Sequence, residues 1–543
     1  MSDPKEILAK FQRVESCRRP YEKDWADVRR LVRPYGKDFF THQTASDSLV
    51  DSIFDGTAPD ALEDLASGLQ SFLTNPTSRW FELSLEILDP NEPLEEETRK
   101  WLDHAADVAF SVYSDDETCF NQSIHEVFLD SGGFGNGYVL QEWDDTTKRI
   151  FFVSQSASAC YVEENYRGFI DTVYNKKEMT FRQLKAKFPD APFNENVLQK
   201  IEKNPEEVTE VIHVVKPRDG YMERELEKSD EKAFESCWVH KDSCTLLKES
   251  GYDQFPWHVS RWVKLAGEVY GRSPATKCLP DIRMLNQMQK TIIRAAEKIV
   301  DPPIIVENDS VLLPLRTSPG SLIYKEPGSE NPMPLEVGQN IPLTLEMVSE
   351  IRDHVRSCFY SDWLKMDKAK MEMTATEVMD RREEKLRFIA PVLGRQQSEF
   401  LGPMVKRTLN LLLKHNRLPE VPEQVKKNSL KVGYISSAAK AQLGSRANDI
   451  VRYIQDLVPM AQIDPTVFDS VKLDQVATEL GIARSVPRSI IRAGEELDQY
   501  RQAREQSKQM QQAADIAKPM SEAAKNVATA QSQGLDVMGA LGL

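Results

Sequence analysis

Four groups of residues in this chain have the types and spacing that chemistry uses. Gly132-Gly133-Phe134-Gly135-Asn136-Gly137 has the glycine density of a loop whose backbone amides cradle a phosphate. Cys237, His240 and Cys244 lie close enough to suggest soft metal ligands. Glu377, Asp380, Glu383 and Glu384 bring carboxylates together at helical spacing. Lys365, Lys368 and Lys370 concentrate three ammonium groups, which can touch nucleic-acid phosphates without reading bases.

Each group also has a plainer reading. A dinucleotide fingerprint needs a strand before its glycines and a helix after, whereas here the order is helix, glycines, strand, which describes a tight turn. No Gly-x-x-x-x-Gly-Lys-Ser/Thr occurs, so no ATPase motif is present. The Cys237, His240, Cys244 group lacks a fourth ligand at suitable spacing. Arg381, Arg382 and Lys385 interleave with the carboxylates and turn them into solvated or intersubunit salt links. Neither a catalytic residue, a cofactor site nor a metal site is expected. For the lysines a solvated loop is the default, and they keep their interest because of the elements on either side of them.

Those elements come from periodicity. Leu279, Ile282, Leu285, Ile292, Ala296 and Ile299 recur every three to four residues, which predicts a helix ending at Asp301-Pro302-Pro303. At about 25 residues it would be roughly 38 Å long. Eight of the chain's 30 prolines then fall between Asp301 and Pro342, with β-like pieces at Ile304 to Val306, Val311 to Leu315 and Ser321 to Tyr324. A second helix starts at Pro342 and carries Leu345, Val348, Val355 and Phe359 on one stripe. The lysines lie in the loop after it, 359–373. Thr374-Ala375-Thr376-Glu377 then has the form of a capping box, opening a long helix that Pro391 and Pro403 should bend before His415.

Upstream, a helix is expected from Pro4 to about Val32, broken early at Pro20, and another from about Ser48 to Leu73. Trp80 to Leu85 alternates like a strand, 95–128 reads as helix, and β-like segments follow at 150–153, 169–173, 208–215 and 237–247. After a strand-like Leu430 to Ile435, helices are expected at 441–457 and 486–518, fading into an Ala- and Gln-rich end. The fold class is α+β, mainly α, with the β structure in the first half.

Composition sets the outer limits. A chain of 543 residues with 40% apolar and 28% charged residues is an ordinary globular sequence too long for one core. Its net charge of −16 disfavours a nonspecific nucleic-acid binder; it suits a surface that DNA must slide past, and an acidic surface kept soluble accounts for it equally well. Seven scattered cysteines argue against a disulfide framework and for a reducing compartment. The Met-Ser-Asp-Pro start lacks a signal-peptide profile, and no apolar run approaches the roughly 18 residues of a membrane span.

Four stretches resemble one family, the portal or head-to-tail connector of short-tailed double-stranded DNA phages. They are Leu65-Ala66-Ser67-Gly68-Leu69-Gln70-Ser71-Phe72-Leu73-Thr74-Asn75-Pro76 with Trp80-Phe81-Glu82-Leu83, then Tyr270-Gly271-Arg272-Ser273-Pro274-Ala275 with Leu279-Pro280-Asp281-Ile282 and Leu285-Asn286. Met373-Thr374-Ala375-Thr376-Glu377-Val378 and Pro487-Arg488-Ser489-Ile490-Ile491-Arg492 complete the set. About 162–248 carries little of the resemblance.

The resemblance implies a portal fold in a ring of twelve subunits at one vertex of the virion's capsid, assembled in the bacterial host cytoplasm. An α+β wing would comprise 1–270 and 374–440. Paired stem helices at 271–300 and 342–358 would pack through Leu279, Ile282, Leu285, Ile292, Ile299, Leu345, Val348 and Val355. A small α/β clip would occupy 301–341, a tunnel loop 359–373, and a helical crown or barrel 441–543. Implied partners are DNA in the channel, the large terminase subunit, tail adaptor and tail tube proteins, major capsid and scaffolding proteins and internal core or ejection proteins, with no membrane. Lys365, Lys368 and Lys370 would fall on the channel. A scaffold-like helical oligomer is the rival reading, and it leaves the α+β first half unexplained.

Overall fold

The computed structural model describes residues 3–34, 52–86, 95–218, 232–305, 333–334, 341–361 and 389–434, helical pieces at 450–457 and 500–504, and scattered positions beyond 458. The chain divides into two units, Met1–Ser436 and Ser437–Leu543. The first is mixed helix and sheet with helix predominating. In the second, the two helical pieces fall within the stretches expected to be helical.

Helix α1 (Pro4–Leu31) begins where the Asp3 carboxylate accepts from the Lys5 amide and Pro4 occupies a first-turn position that needs no N–H. The expected break at Pro20 does not occur, and the helix is continuous. Tertiary contacts on both sides of the proline hold the axis. Ile7, Leu8, Phe11 and Val14 pack on Tyr161, Tyr174, Ile212 and Val214, while Trp25, Val28 and Leu31 enter the main core. Between them Arg18, 1% exposed, donates to the carbonyls of Ala157, Ser158 and Cys160 and pairs with Glu22 at 2.8 Å. A buried guanidinium is tolerated because its donors are spent this way.

Helix α2 (Thr57–Leu73) starts later than Ser48. Residues 48–51 lie outside the described ones, and 52–56 are not α-helical because a distant side chain claims their backbone. Asn286 accepts from the Phe54 amide at 2.7 Å and donates to the Ser52 carbonyl at 3.0 Å. Strand β1 (Phe81–Glu86) follows. The stretch read as one helix over 95–128 is two, α3 (Glu96–Ser114) and α4 (Phe120–Phe134). Thr118 closes α3 by donating to the carbonyls of Val112 and Asp115, and Cys119 re-aims the chain with left-handed backbone at φ 56°.

The glycine cluster is the end of α4. Gly132 and Gly133 are helical, Gly135 is the left-handed cap at φ 86°, and β2 (Asn136–Asp144) starts directly after. Strand β2 is the centre of an antiparallel sheet with β3 (Arg149–Gln155) on one side and β9 (Trp257–Arg261) on the other. Between β3 and β9 the chain makes a five-stranded antiparallel meander: β4 (Cys160–Glu164), β5 (Ile170–Thr180), β6 (Val208–Pro217), β7 (Phe234–His240) and β8 (Thr245–Tyr252). Helices α5 (Phe181–Lys187) and α6 (Glu195–Lys203) interrupt it, α5 with a capping box of Thr180 and Gln183.

The single β-like segment expected at 237–247 is thus the hairpin β7-β8, turning where Cys244 takes φ 50°. This dissolves the suspected ligand group. Cys237 faces the α1 side of the sheet, and His240, three positions on, faces the other. His240 spends one ring nitrogen on Thr209 at 2.7 Å and the other on Ser243 at 2.6 Å.

Next come α7 (Pro274–Lys277), α8 (Leu279–Val300), β10 (Ile304–Ile305), its partner β11 (Met333–Pro334), and α9 (Ile341–Cys358). The expected pieces at 311–315 and 321–324 lie outside the described residues, as does the Thr374 capping box. Residues 389–395 are helical and run through a π-turn at Gln396–Leu401 into α10 (Gly402–Lys414). The wide turn has a local cause: Pro403 offers no amide, and Gly402 donates instead to Gln397, whose carbonyl also accepts from the Tyr434 hydroxyl. Gln396 donates to the Arg261 carbonyl, and Glu399 accepts from the Arg261 guanidinium at 2.8 Å, which ties the turn to β9. After α11 (Glu423–Lys427), β12 (Ser429–Tyr434) pairs with β1, Phe81 opposite Tyr434.

Two glycines offer a controlled comparison. Both Gly135 and Gly267 have positive φ, but a Cβ on Gly135 would overlap the Gly271 carbonyl, whereas one on Gly267 meets nothing within 4 Å. Gly267→Ala should cost only the ~1–2 kcal/mol of a left-handed alanine. Gly135→Ala should exceed about 4 kcal/mol, or prevent folding, because backbone must move. Urea unfolding of both variants measures the difference, and equal losses would contradict the close approach of Gly135 to the Gly271 carbonyl.

Candidate functional site

The helix pair α8 and α9, with the proline-rich excursion between them, is held by a short backbone crossing. The Trp262 amide donates to the Gly135 carbonyl at 2.9 Å, and the Gly271 amide donates to Asn136 Oδ1 at 2.9 Å. Ser273 donates to the Gly133 carbonyl at 2.7 Å and accepts from the Thr276 amide, so one hydroxyl both caps α7 and joins it to the end of α4. Beside it the Tyr270 ring meets the Trp25 ring edge-on, with centroids 5.5 Å apart.

From this base the apolar stripe runs outward. Leu279, Ile282 and Leu285 of α8 and Val348 and Val355 of α9 are buried in the main core, and Ile292 is partly buried against it. Ile299 and Leu345 are about half exposed, at 48% and 51%. Met284, Ile293, Val300 and Met347 are exposed as well. Periodicity marks an apolar face, but cannot say where the chain's own core stops covering it.

Polar contacts fix the pair laterally, and periodicity gave no hint of them. Arg352 of α9 pairs with Asp55 at 2.7 Å, and the Asp55 side chain is only 3% exposed. Burial pushes the Asp55 carboxyl up, but hydrogen bonds from Thr57 and Arg352, with the charge of Arg352, outweigh it and hold the group below its ordinary value. Ser361 donates to Asp64 at 2.9 Å, and Arg283 of α8 pairs with Asp27 of α1. Asn286, which organises 52–56, was visible only as part of the Leu285-Asn286 motif.

Lys365, Lys368 and Lys370 lie outside the described residues, as do Glu377, Asp380, Glu383 and Glu384. Among the described residues no cluster of His, Cys, Asp and Glu is arranged to hold a metal, and no helix is long and apolar enough to cross a membrane.

Residues 4–491 match the family model described as bacteriophage head to tail connecting protein. The chain is similar to a probable portal protein of Bordetella phage BPP-1, 26% identical over 516 residues, covering 93% of this chain and 91% of that protein. It is similar also to a portal protein of Salmonella phage epsilon15, 25% identical over 545 residues, covering 98% and 96% respectively.

The Asp55–Arg352 pair makes a pH-dependent contribution with a definite sign. A carboxyl whose folded pKa is depressed stabilises the fold above its unfolded pKa of about 3.9 and loses that stabilisation as pH falls through the lower folded value. Arg352→Ala should cost about 1.5–3 kcal/mol at neutral pH, the range for hydrogen bonds to charged groups. The difference from the parent chain should shrink below roughly pH 4. Denaturant unfolding of both chains across that interval checks it, and a difference constant with pH would refute the assignment.

Proposed function

Because the chain belongs to the family of bacteriophage head to tail connecting proteins, we propose that it is a portal subunit whose helices α8 and α9 form the stem of a ring of twelve. The ring sits at one capsid vertex of the virion and serves as the channel for genome packaging and ejection. The role is structural, and ATP hydrolysis belongs to a separate terminase. In this reading 1–270 and 374–440 form the wing, 271–300 and 342–358 the stem, 301–341 the clip, 359–373 the tunnel loop and 441–543 the crown. The clip docks the large terminase subunit and later the tail adaptor and tube. The wing and crown meet capsid and scaffolding proteins and internal core or ejection proteins.

The observation that carries the reading is the uncovered half of the stem stripe. Ile299 and Leu345, with Ile293, Val300 and Met347, expose apolar side chains on helices whose buried residues are Leu279, Ile282, Leu285, Val348 and Val355. Neighbouring copies in a ring bury such a stripe by the same packing that buries its inner half. The overall charge of −16 suits a lumen that does not hold the duplex, with Lys365, Lys368 and Lys370 supplying the few weak phosphate contacts.

Electron microscopy of the purified chain should give rings with a central hole; monomers or fibres would overturn the proposal. Changing both Ile299 and Leu345 to Asp should abolish rings while leaving the unfolding transition of the single chain within about 0.5 kcal/mol, as for other exposed positions. Replacing Lys365, Lys368 and Lys370 together by Ala should leave rings intact and alter DNA packaging or retention. If neither DNA measurement changes, the lysines have no channel role.

A further inference from the structure

The five-stranded sheet sets one row of side chains across four of its strands. Asn175 of β5 stands opposite His213 of β6, His213 opposite Trp238 of β7, and Trp238 opposite Lys248 of β8. Cross-strand partners project from the same face, and Lys177, two positions beyond Asn175, joins them there. Lys187 reaches the row from the end of α5. The His213 imidazole lies flat on the Trp238 indole, with centroids 4.1 Å apart and planes 9° from parallel. Two ammonium groups stand over the same indole, Lys187 Nζ at 3.8 Å from its centroid and Lys177 Nζ at 5.5 Å. At 3.8 Å a cation has room only on the face that His213 leaves open.

Other lysines of this sheet are neutralised. Lys176 pairs with Glu210 at 2.6 Å and Lys216 with Glu235 at 2.7 Å. Lys177, Lys187 and Lys248 form no ion pair with a described residue; Lys187 and Lys248 are exposed, and Lys177 is half-buried. The carboxylate whose charge reaches Lys177 and Lys187 is Glu142 of β2, which already accepts from the Tyr252 hydroxyl. Crowding shows in Lys187: desolvation brings its ammonium down to about 8, repulsion from Lys177 and Lys248 adds to this, and Glu142 opposes it. Burial, with Lys177 and Lys187, holds His213 well below its ordinary value, so its ring is neutral near pH 7. His213 Nδ1, like Oδ1 of the buried Asn175 opposite it, has no hydrogen-bond partner among the described residues. Like charges gathered without a counter-charge, beside buried polar atoms without a partner, make an arrangement that a ligand completes.

We propose that Lys177, Lys187 and Lys248, gathered around Trp238, bind a phosphate anion. A phosphate group carries roughly two negative charges near neutral pH and offers several acceptor oxygens, whereas one carboxylate would leave most of the cluster unneutralised. Lysines bind phosphate as point charges and need no planar partner. With His213 on one indole face and Lys187 over the other, no base can stack on Trp238, so recognition is of the phosphate alone. The chain's net charge of −16 opposes a long polyanion. A small anion inside the screening distance of about 8 Å responds to the three ammonium groups instead. A free phosphate compound is therefore the favoured source over a nucleic-acid backbone. The site is complete within one chain and does not depend on ring formation.

The test is calorimetric titration of the purified full chain with inorganic pyrophosphate at low ionic strength. Saturable binding is expected, and Lys187→Gln combined with Lys248→Gln should weaken it by about tenfold or more, the loss of one or two hydrogen bonds to a charged group. Lys23→Gln combined with Lys431→Gln removes the same charge from exposed positions elsewhere and should leave the affinity unchanged. Pyrophosphate should also protect Lys187 and Lys248, but not Lys23, from acetylation by an N-hydroxysuccinimide ester, read by peptide mass spectrometry. A single-stranded oligodeoxynucleotide that binds and is displaced by pyrophosphate would support the site with a nucleic-acid backbone as its source. Pyrophosphate binding without oligonucleotide binding would support it with a free phosphate compound. Absence of saturation, equal losses in the two double variants, no protection of Lys187, or tighter binding of citrate than of pyrophosphate would overturn the proposal.

Discussion

The close approach of the backbone at Gly135 to that at Gly271 is the constraint on which the placement of α8 depends. At each position a side chain would strike the other's carbonyl oxygen, so both residues have to be glycine for the segments to cross. The crossing sets the end of α4, the start of β2 and the entry to α7 in one place. Ser273 and Asn136 then satisfy the polar groups that the crossing would strand, through the carbonyl of Gly133 and the amide of Gly271. The direction in which α8 leaves the core is thereby fixed by hydrogen-bonded backbone, before any apolar contact along the helix contributes.

The rest of the first unit braces this junction. Helix α1 spans two cores, and Arg18 at its middle collects three carbonyls from the turn between β3 and β4, so the two sheets are referenced to one rigid rod. On the other side the π-turn lets Gln396 and Glu399 both reach β9, which Arg261 and Ser260 share with α4 and the loop before β5. Pairing of β1 with β12 brings the late part of the unit back onto its beginning. Helices α8 and α9 therefore stand on a base built from segments spread across more than 400 positions of sequence.

The helix pair carries both buried and exposed apolar side chains. Near the base Leu279, Ile282, Leu285, Val348 and Val355 belong to the core, and beyond it Ile299 and Leu345 are left open. A sequence selected only for folding alone has no reason to keep large apolar residues on the open half, where they favour association. The charges follow a similar division, since Arg352 and Arg283 are paired at the base with Asp55 and Asp27.

Local sequence determined what depends on neighbours along the chain. The 3.6-residue stripes located α2, α8, α9 and α10, alternation located β1, β-like runs located β3, β6 and β12, and the order helix, glycines, strand is the one found, with Gly135 closing α4. Tertiary structure decided what depends on residues far apart. It kept α1 whole through Pro20, because cores on both sides outweigh one missing amide. It delayed the start of α2, because Asn286 reaches back to residues 52 and 54, and it separated Cys237 from His240 onto opposite faces of a sheet. Periodicity reports which face of an element is apolar, and only the packed chain reports what stands against that face.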